Sequence, residues 1–276
     1  MLEHDQRTNL WAVSTGVLKS FDGIVRLAEH VFIHDTADGG LSVWLAATGD
    51  EQLKRFSRGS SSVEINDVNP PPQQSDAASL HAHCDCKGVE FYVSRPSAQS
   101  RQTSAAWPDA LVPFHVEERP SRSEPWWLRA GETKYFASTC VCNSCRLAIG
   151  NSEIQQWAFI PKVNLSLSSD AMTPMSMDLG TIKWYRSSAG ARRGFCRECG
   201  ATIFWLGDDR PTLIDVSVGL LEADEGARAE TWLEWHTGRV SYREDAIDRA
   251  HHLTRELEEG LKAWGVRTYG EDTIRK

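Results

Sequence analysis

The sequence has no apolar run approaching the roughly 20 residues that a membrane-spanning helix needs. Basic charge is also in deficit: 30 Lys and Arg stand against 38 Asp and Glu, for a formal net charge of −8. Nucleic-acid binders displace counterions with a basic face, so neither nucleic acid nor anionic membrane is an expected partner. The first residues, MLEHDQRTNLWAVS, lack the charged-then-apolar order of a secretory signal, and the expected location is cytoplasmic. A G-x-S-x-G motif is missing, which removes the usual serine-hydrolase framework. No cysteine precedes Cys84, and none lies outside three tight groups.

What is present describes an ordinary soluble chain with an unusual aromatic content. Over 276 residues, 41% hydrophobic and 25% charged, a sizeable core is affordable, and 11 tryptophans suit short aromatic strands in an all-β packing. Val89–Val93 and Ala201–Trp205 read as strands. Asn69 to Ser75, with three consecutive prolines, reads as a linker, and the SRGSSS stretch before it is equally loop-like. From Ser94 to Glu132 the chain is rich in Pro, Ser and Arg. This segment predicts a long loop anchored by Trp107, Phe114, Trp126 and Trp127. Ile247, Ala250, Leu253, Leu257, Leu261 and Trp264 recur at helical spacing, with Asp245 placed to cap the start and Gly265 after the end.

A short internal repeat is visible. Val13-Ser14-Thr15-Gly16-Val17-Leu18 matches Val216-Ser217-Val218-Gly219-Leu220-Leu221, and His34 falls opposite His236 after a one-residue gap. The first copy has no cysteines. The expected organisation is therefore a degenerate half-repeat over 1–60, a linker over 61–79, a cysteine-bearing domain over 80–245 and a helix with tail over 246–276.

The cysteines fall as Cys84-x-Cys86, Cys140-x-Cys142-x-x-Cys145 and Cys196-x-x-Cys199. In a reducing compartment such clusters bind metal or do chemistry rather than form disulfides. Thiolate softness favours zinc or an iron–sulfur cluster over harder cations. Seven is an informative number, because a closed structural zinc uses four thiolates and an open catalytic one uses three protein ligands. The outlying pairs, Cys84, Cys86, Cys196 and Cys199, make the closed set. Cys140, Cys142 and Cys145 make the open one, unless a histidine closes it and both ions are structural.

These spacings, with Gly88-Val89, Arg146, Trp157-Ala158-Phe159, Tyr185-Arg186-Ser187-Ser188, Arg193 and Phe195-Cys196-x-x-Cys199-Gly200, resemble the glutathione-dependent formaldehyde-activating (GFA) family, which includes the centromere protein V relatives. The likeness runs from about Leu80 to Tyr242, and the half-repeat resembles two-domain fungal members with a truncated first domain. It implies a β-tent of short sheets around two zinc ions. One ion would be structural on Cys84, Cys86, Cys196 and Cys199, the other labile and catalytic on Cys140, Cys142 and Cys145. It also implies lyase-type carbon–sulfur chemistry on a thiol adduct such as S-hydroxymethylglutathione. The long spacer between Cys86 and Cys140 implies a remodelled mouth.

Arg146, Arg192 and Arg193 are candidates for the carboxylates of a glutathione-like substrate, and Trp126, Trp127 and Trp157 for a pocket wall. Surface salt bridges and core packing are the bland alternatives. His81 and His83 read as ordinary strand residues beside an already filled cysteine site, and His251-His252 as solvated helix positions. The expected function is a zinc enzyme acting on a thiol adduct or reactive carbonyl, with room for a homodimer. The alternatives are a zinc scaffold that binds other proteins and a tailoring enzyme with a changed substrate.

Overall fold

The computed structural model describes residues 2–6, 9–66, 76–117, 125–150 and 152–270, so the proline-rich linker lies outside the described residues. The protein is built mostly of strands: β1 (Ser79–His83), β2 (Glu90–Ser94), β3 (Lys134–Cys140), β4 (Gln155–Pro161), β5 (Ile182–Ser188), β6 (Ala191–Cys196), β7 (Thr202–Gly207), β8 (Leu213–Ser217) and β9 (Leu233–Trp235). Among the described residues two α-helices accompany them, α1 (Asn143–Ile149) and α2 (His251–Tyr269). The expected all-β class with a C-terminal helix is therefore present.

An eight-stranded sheet runs in the order β5–β6–β7–β8–β4–β3–β9, with the short strand Leu128–Arg129 also on β3. β1 and β2 form a second sheet with Leu165–Ser166. All but the first residue of β3 is buried, because the strand is central and covered on both faces. β5 is the edge and reads differently: Lys183, Tyr185 and Arg186 are exposed, which blunts the edge against further pairing. Phe91 of β2 meets Phe204 of β7 at 5.1 Å between ring centroids and joins the two sheets.

The register sets one face of the large sheet. Arg193 pairs with Trp205, Trp205 with Asp215, and Asp215 with Phe159, across β6, β7, β8 and β4. Ser138 of β3 pairs with Trp157. Directly paired residues point to the same side, so these side chains form a continuous floor.

The 94–132 segment is held as its aromatics suggest. The indole N–H of Trp127 donates to the Ser100 carbonyl at 3.0 Å, and Trp126 packs edge-on against Phe159 at 5.1 Å.

The helix α2 buries Leu253, Leu257, Leu261 and Trp264 as its spacing predicts. Its ends differ from expectation. The helix begins at His251, Ile247 is exposed, and Asp245 lies in a separate 3-10 turn, Arg243–Ala246. Gly265 lies inside the helix rather than after it, with Thr237 packed where a Cβ would stand. Among the described residues, no helix is long and apolar enough to cross a membrane.

The N-terminal segment consists of short pieces packed onto this body. Trp44 is buried edge-on against Trp235 at 4.7 Å and Trp264 at 5.6 Å. The SRGSSS stretch is a turn closed by Ser57 N–H donating to the Val63 carbonyl at 2.8 Å. The two matched stretches share a local conformation at one point. Ser14 (φ −66°, ψ 114°) and Ser217 (φ −63°, ψ 121°) both lead into 3-10 turns, Thr15–Val17 and Val218–Leu220. The likeness stops there. The strand before Ser14, Leu10–Val13, is exposed and pairs with Leu2–Asp5, whereas β8 is internal to the large sheet. His34 lies on an exposed 3-10 turn, while His236 follows β9 with its backbone N–H donating to the Ala137 carbonyl at 2.7 Å.

Candidate metal centres and the cavity between sheet and loop

The seven sulfurs gather in two places. Those of Cys84, Cys86, Cys196 and Cys199 all lie within 4.8 Å of one another, as do those of Cys140, Cys142 and Cys145. The first set stands on two tight turns. Lys87 N–H returns to the Cys84 carbonyl at 2.8 Å, and Gly200 N–H to that of Cys196 at 2.9 Å. Sulfur separations of 3.6 Å (Cys84–Cys86) and 3.5 Å (Cys86–Cys196) approach the roughly 3.8 Å edge of a tetrahedron with 2.3 Å zinc–sulfur bonds. Donors already face the sulfurs: Val89 N–H reaches Cys84 Sγ at 3.4 Å, and Thr181 Oγ1 lies 3.0 Å from Cys196 Sγ. Burial pushes the Cys84 thiol up to about 12. At Cys196 burial is outweighed by the backbone N–H of Cys199 and the Thr181 hydroxyl, which hold that thiol down to about 6. Gly88 follows the first pair because a Cβ there would overlap the Thr181 hydroxyl that serves Cys196. Four converging sulfurs with N–H support fit a closed structural zinc.

The triplet is built differently. Cys140 ends β3, and Cys142 is the N-cap of α1, its sulfur accepting the Cys145 N–H at 3.2 Å. The chain enters a helix directly at the triplet. Asp245, which the sequence offered as a cap for α2, instead accepts the Asn143 N–H at 3.0 Å and caps this short helix. Arg249 donates to the Val141 carbonyl at 2.9 Å and pairs with buried Glu153, fixing the link between the first two cysteines. Hydrogen bonds from Cys140 and Cys142, then the charge of Arg193, hold the Cys145 thiol well below its ordinary range. The donor Cys140 is pushed well above it. Three buried sulfurs sharing protons around one low-pKa thiolate fit a soft cation in the same place.

Only the triplet faces the cavity, which holds about 430 Å³. Its floor is the row Arg193, Trp205, Asp215 and Phe159, with Trp157 and Ser138 beside it, and Cys140, Cys142 and Cys145 form one wall. A further wall comes from the 94–132 segment, through Trp107, Pro108, Asp109 and Phe114. Phe114 stacks on Tyr242 at 5.5 Å. Asp109 clamps this wall in place by accepting the Tyr242 and Phe114 N–H groups, each at 2.6 Å.

Arg193 and Trp157 line the cavity, and Arg146, Trp126 and Trp127 do not, the two tryptophans being buried in the core. The Arg146 guanidinium donates to the Gly16 carbonyl at 2.6 Å and to that of Leu18 at 3.1 Å, so it ties α1 to the N-terminal segment. Arg192 is exposed on the other face of β6, and His251 and His252 are exposed on α2. Arg210, Asp215, Asp109 and Tyr242 had no role in the sequence reading. Arg210 grips Asp215 through two bonds of 2.6 and 2.9 Å and lies 4.6 Å from the Trp205 ring centroid. Burial raises the Asp215 carboxyl despite that partner. A single carboxylate inside the apolar run Leu213–Ser217 was the available signal.

Residues 128–239 match the family model of the glutathione-dependent formaldehyde-activating enzyme, GFA. The match to GFA is confined to this stretch. The matched stretch contains the triplet, Arg193, Cys196 and Cys199, while Cys84 and Cys86 lie before it. The parts that hold the triplet from behind, Ser241, Asp245 and Arg249, lie after it. A comparison with curated proteins returns no match. Among solved structures, the crystal structure of a Rhodobacter sphaeroides protein aligns over 56% of this chain and 98% of its own, at 17% identity and a TM-score of 0.31. That likeness is too distant to add to the family match.

Proposed function

We propose that the protein is a zinc-dependent enzyme of the GFA type, acting in its cavity on the carbon–sulfur bond of a glutathione-like thiol adduct or on a reactive carbonyl compound. Two zinc ions would be held, one closed in by Cys84, Cys86, Cys196 and Cys199, the other by Cys140, Cys142 and Cys145. When bound at the triplet, zinc supplies Lewis acidity and keeps a coordinated thiol ionised at neutral pH.

The observation that carries this reading is the position of Arg193. One arm of its guanidinium donates to Cys145 Sγ at 3.3 Å and Ser144 Oγ at 3.1 Å, while Nε and Nη1 are buried without a protein partner. A buried unsatisfied donor costs about 1–3 kcal/mol. Two of them in the cavity floor beside the open triplet suit an anionic or carbonyl oxygen of a substrate whose sulfur reaches the metal. Trp157, Trp205, Trp107 and Tyr242 would exclude water from the bound adduct. The aromatic wall from the 94–132 segment also favours a second reading, a tailoring enzyme with the same metal and a more apolar carbonyl substrate.

A thermal-shift series tests the choice, because a ligand that binds only the folded protein raises its melting temperature with concentration. Glutathione should raise it and a glutathione analogue lacking the thiol should not. The shift should vanish in Cys142→Ser. Equal shifts from both compounds would mean that sulfur is not ligated. No shift from any thiol, with a shift from an aromatic aldehyde, would favour the tailoring enzyme.

A further inference from the structure

On the outer face of β1, away from the cysteines it leads into, His81 and His83 stand side by side with ring centroids 4.9 Å apart. Glu222 is brought against them by backbone pairing, its N–H donating to the His81 carbonyl at 2.9 Å. Its Oε2 lies 2.8 Å from His81 Nδ1 and 3.4 Å from His83 Nε2. The far nitrogens of both rings are also engaged. His83 Nδ1 lies 2.9 Å from the Cys84 carbonyl, and His81 Nε2 lies 3.2 Å from a Glu90 carboxylate oxygen.

A carbonyl only accepts, so His83 Nδ1 carries its proton, and in the neutral ring Nε2 presents a lone pair to Glu222. His81 stands between two carboxylates, Glu222 at Nδ1 and Glu90 at Nε2, and a neutral ring has one proton to give them. A divalent cation held by His81 Nδ1, His83 Nε2 and the Glu222 carboxylate would leave that proton on Nε2, where it donates to Glu90, and would satisfy the three atoms that face one another. Metal-ligating histidines typically have the other ring nitrogen bonded to a carboxylate or backbone carbonyl, and both rings have that arrangement here. The separations are close to the roughly 3.3 Å ligand spacing around a tetrahedral zinc with nitrogen and oxygen donors.

We infer that His81, His83 and Glu222 form a third metal site, a two-histidine, one-carboxylate seat for zinc or a similar divalent first-row cation. All seven cysteines stand in the other two clusters, so this site needs none of them. Glu222 is largely exposed, which leaves room for water or another donor to complete the coordination. Glu90 acts as a positioning residue by holding the His81 ring through Nε2.

Equilibrium dialysis of the purified, thiolate-loaded protein against zinc, followed by elemental analysis, tests this. The wild type should bind one zinc per chain beyond what the cysteines hold. Glu222→Gln and His81→Gln should each lose that extra ion while keeping the cysteine-bound zinc and the melting curve. Glu90→Gln should weaken it roughly 10- to 100-fold, as removal of an orienting partner does. Cadmium-113 NMR adds a readout that folding does not move. One nitrogen- and oxygen-ligated resonance, separate from the thiolate-ligated ones, should be present in the wild type and absent in Glu222→Gln. The same zinc content in wild type and both ligand variants, or only thiolate-type cadmium resonances, would overturn the inference and leave a histidine between two carboxylates.

Discussion

Arg193 Nη2 lies 3.3 Å from Cys145 Sγ, in the same guanidinium that sits 5.9 Å from the Trp157 ring centroid. The cation thus supports the one sulfur of the triplet that ionises most readily. Removing it should raise the Cys145 pKa, since a nearby positive charge favours the thiolate. In Arg193→Ala, alkylation of the metal-free protein at neutral pH should slow. The triplet should also lose roughly 10- to 100-fold in zinc affinity, as measured by chelator competition. Arg193→Lys should fall between, keeping the charge and losing the fork. Unchanged alkylation and zinc release in Arg193→Ala would show that the contact is only packing.

The two cysteine clusters should respond differently to loss of a ligand. Cys84 and Cys86 are joined to Cys196 and Cys199 across a long stretch of chain, so a shared ion couples their folding. Cys199→Ser should be insoluble or melt more than about 10 °C lower, an outcome of several kcal/mol. Cys142→Ser should stay folded and lose only the second metal. Equal losses of melting temperature would exchange or remove the labels closed and open.

Helical glycines usually gain about 1 kcal/mol on conversion to alanine. Gly260 should do the reverse. It lies inside α2 at the point where the Trp44 backbone crosses, and a Cβ would overlap the Trp44 carbonyl. Gly260→Ala should cost about 1–3 kcal/mol by urea denaturation, as overpacking does. A stabilised variant would mean that the N-terminal segment is not seated on the helix.

His236 lies against Phe136 at 5.7 Å, and burial, followed by the charges of Arg129 and Arg239, lowers its pKa to about 4. An unfolded histidine titrates near 6.5. Between about pH 6.5 and 4 the unfolded chain therefore binds a proton that the folded one refuses, and stability falls as pH falls. The loss is at most roughly 3 kcal/mol by the time pH 4 is reached, less for the part of the ring that meets solvent. Comparing urea midpoints at pH 7.5 and 5 in wild type and His236→Gln checks this, and the variant should lose less. An identical pH dependence in both proteins would rule the histidine out.

The two sulfur clusters were readable because spacing alone confines them: a C-x-C or C-x-x-C pair has to bring its sulfurs together. Period and burial likewise made α2 readable through Leu253, Leu257, Leu261 and Trp264. Its start was not, because Asp245 has equivalent local credentials for capping α1, and only tertiary packing decides between them. Arg146 and Arg193 looked alike in sequence. They part because β6 alternates its side chains, putting Arg193 on the cavity face, while α1 turns Arg146 toward Gly16. Asp215 and Arg210 became visible only as a pair across one strand face. His81, His83 and Glu222 are joined by a bridge between distant segments that no local pattern announces.

The seating of Trp44 between Trp235 and Trp264 has a consequence for the order in which the protein is made. Synthesis runs from the N-terminus, so Phe21, Trp44 and Leu53 emerge first, yet the surfaces that bury Trp44 belong to β9 and α2 and emerge last. During the interval these apolar side chains have nowhere to go. Both cysteine clusters are complete by Cys199, so the sheet that carries them can form before the chain is finished and wait as the template on which its two ends close. Truncating α2 and deleting the N-terminal segment would then be the same lesion reached from opposite ends, each exposing the aromatic surface that the other was meant to cover.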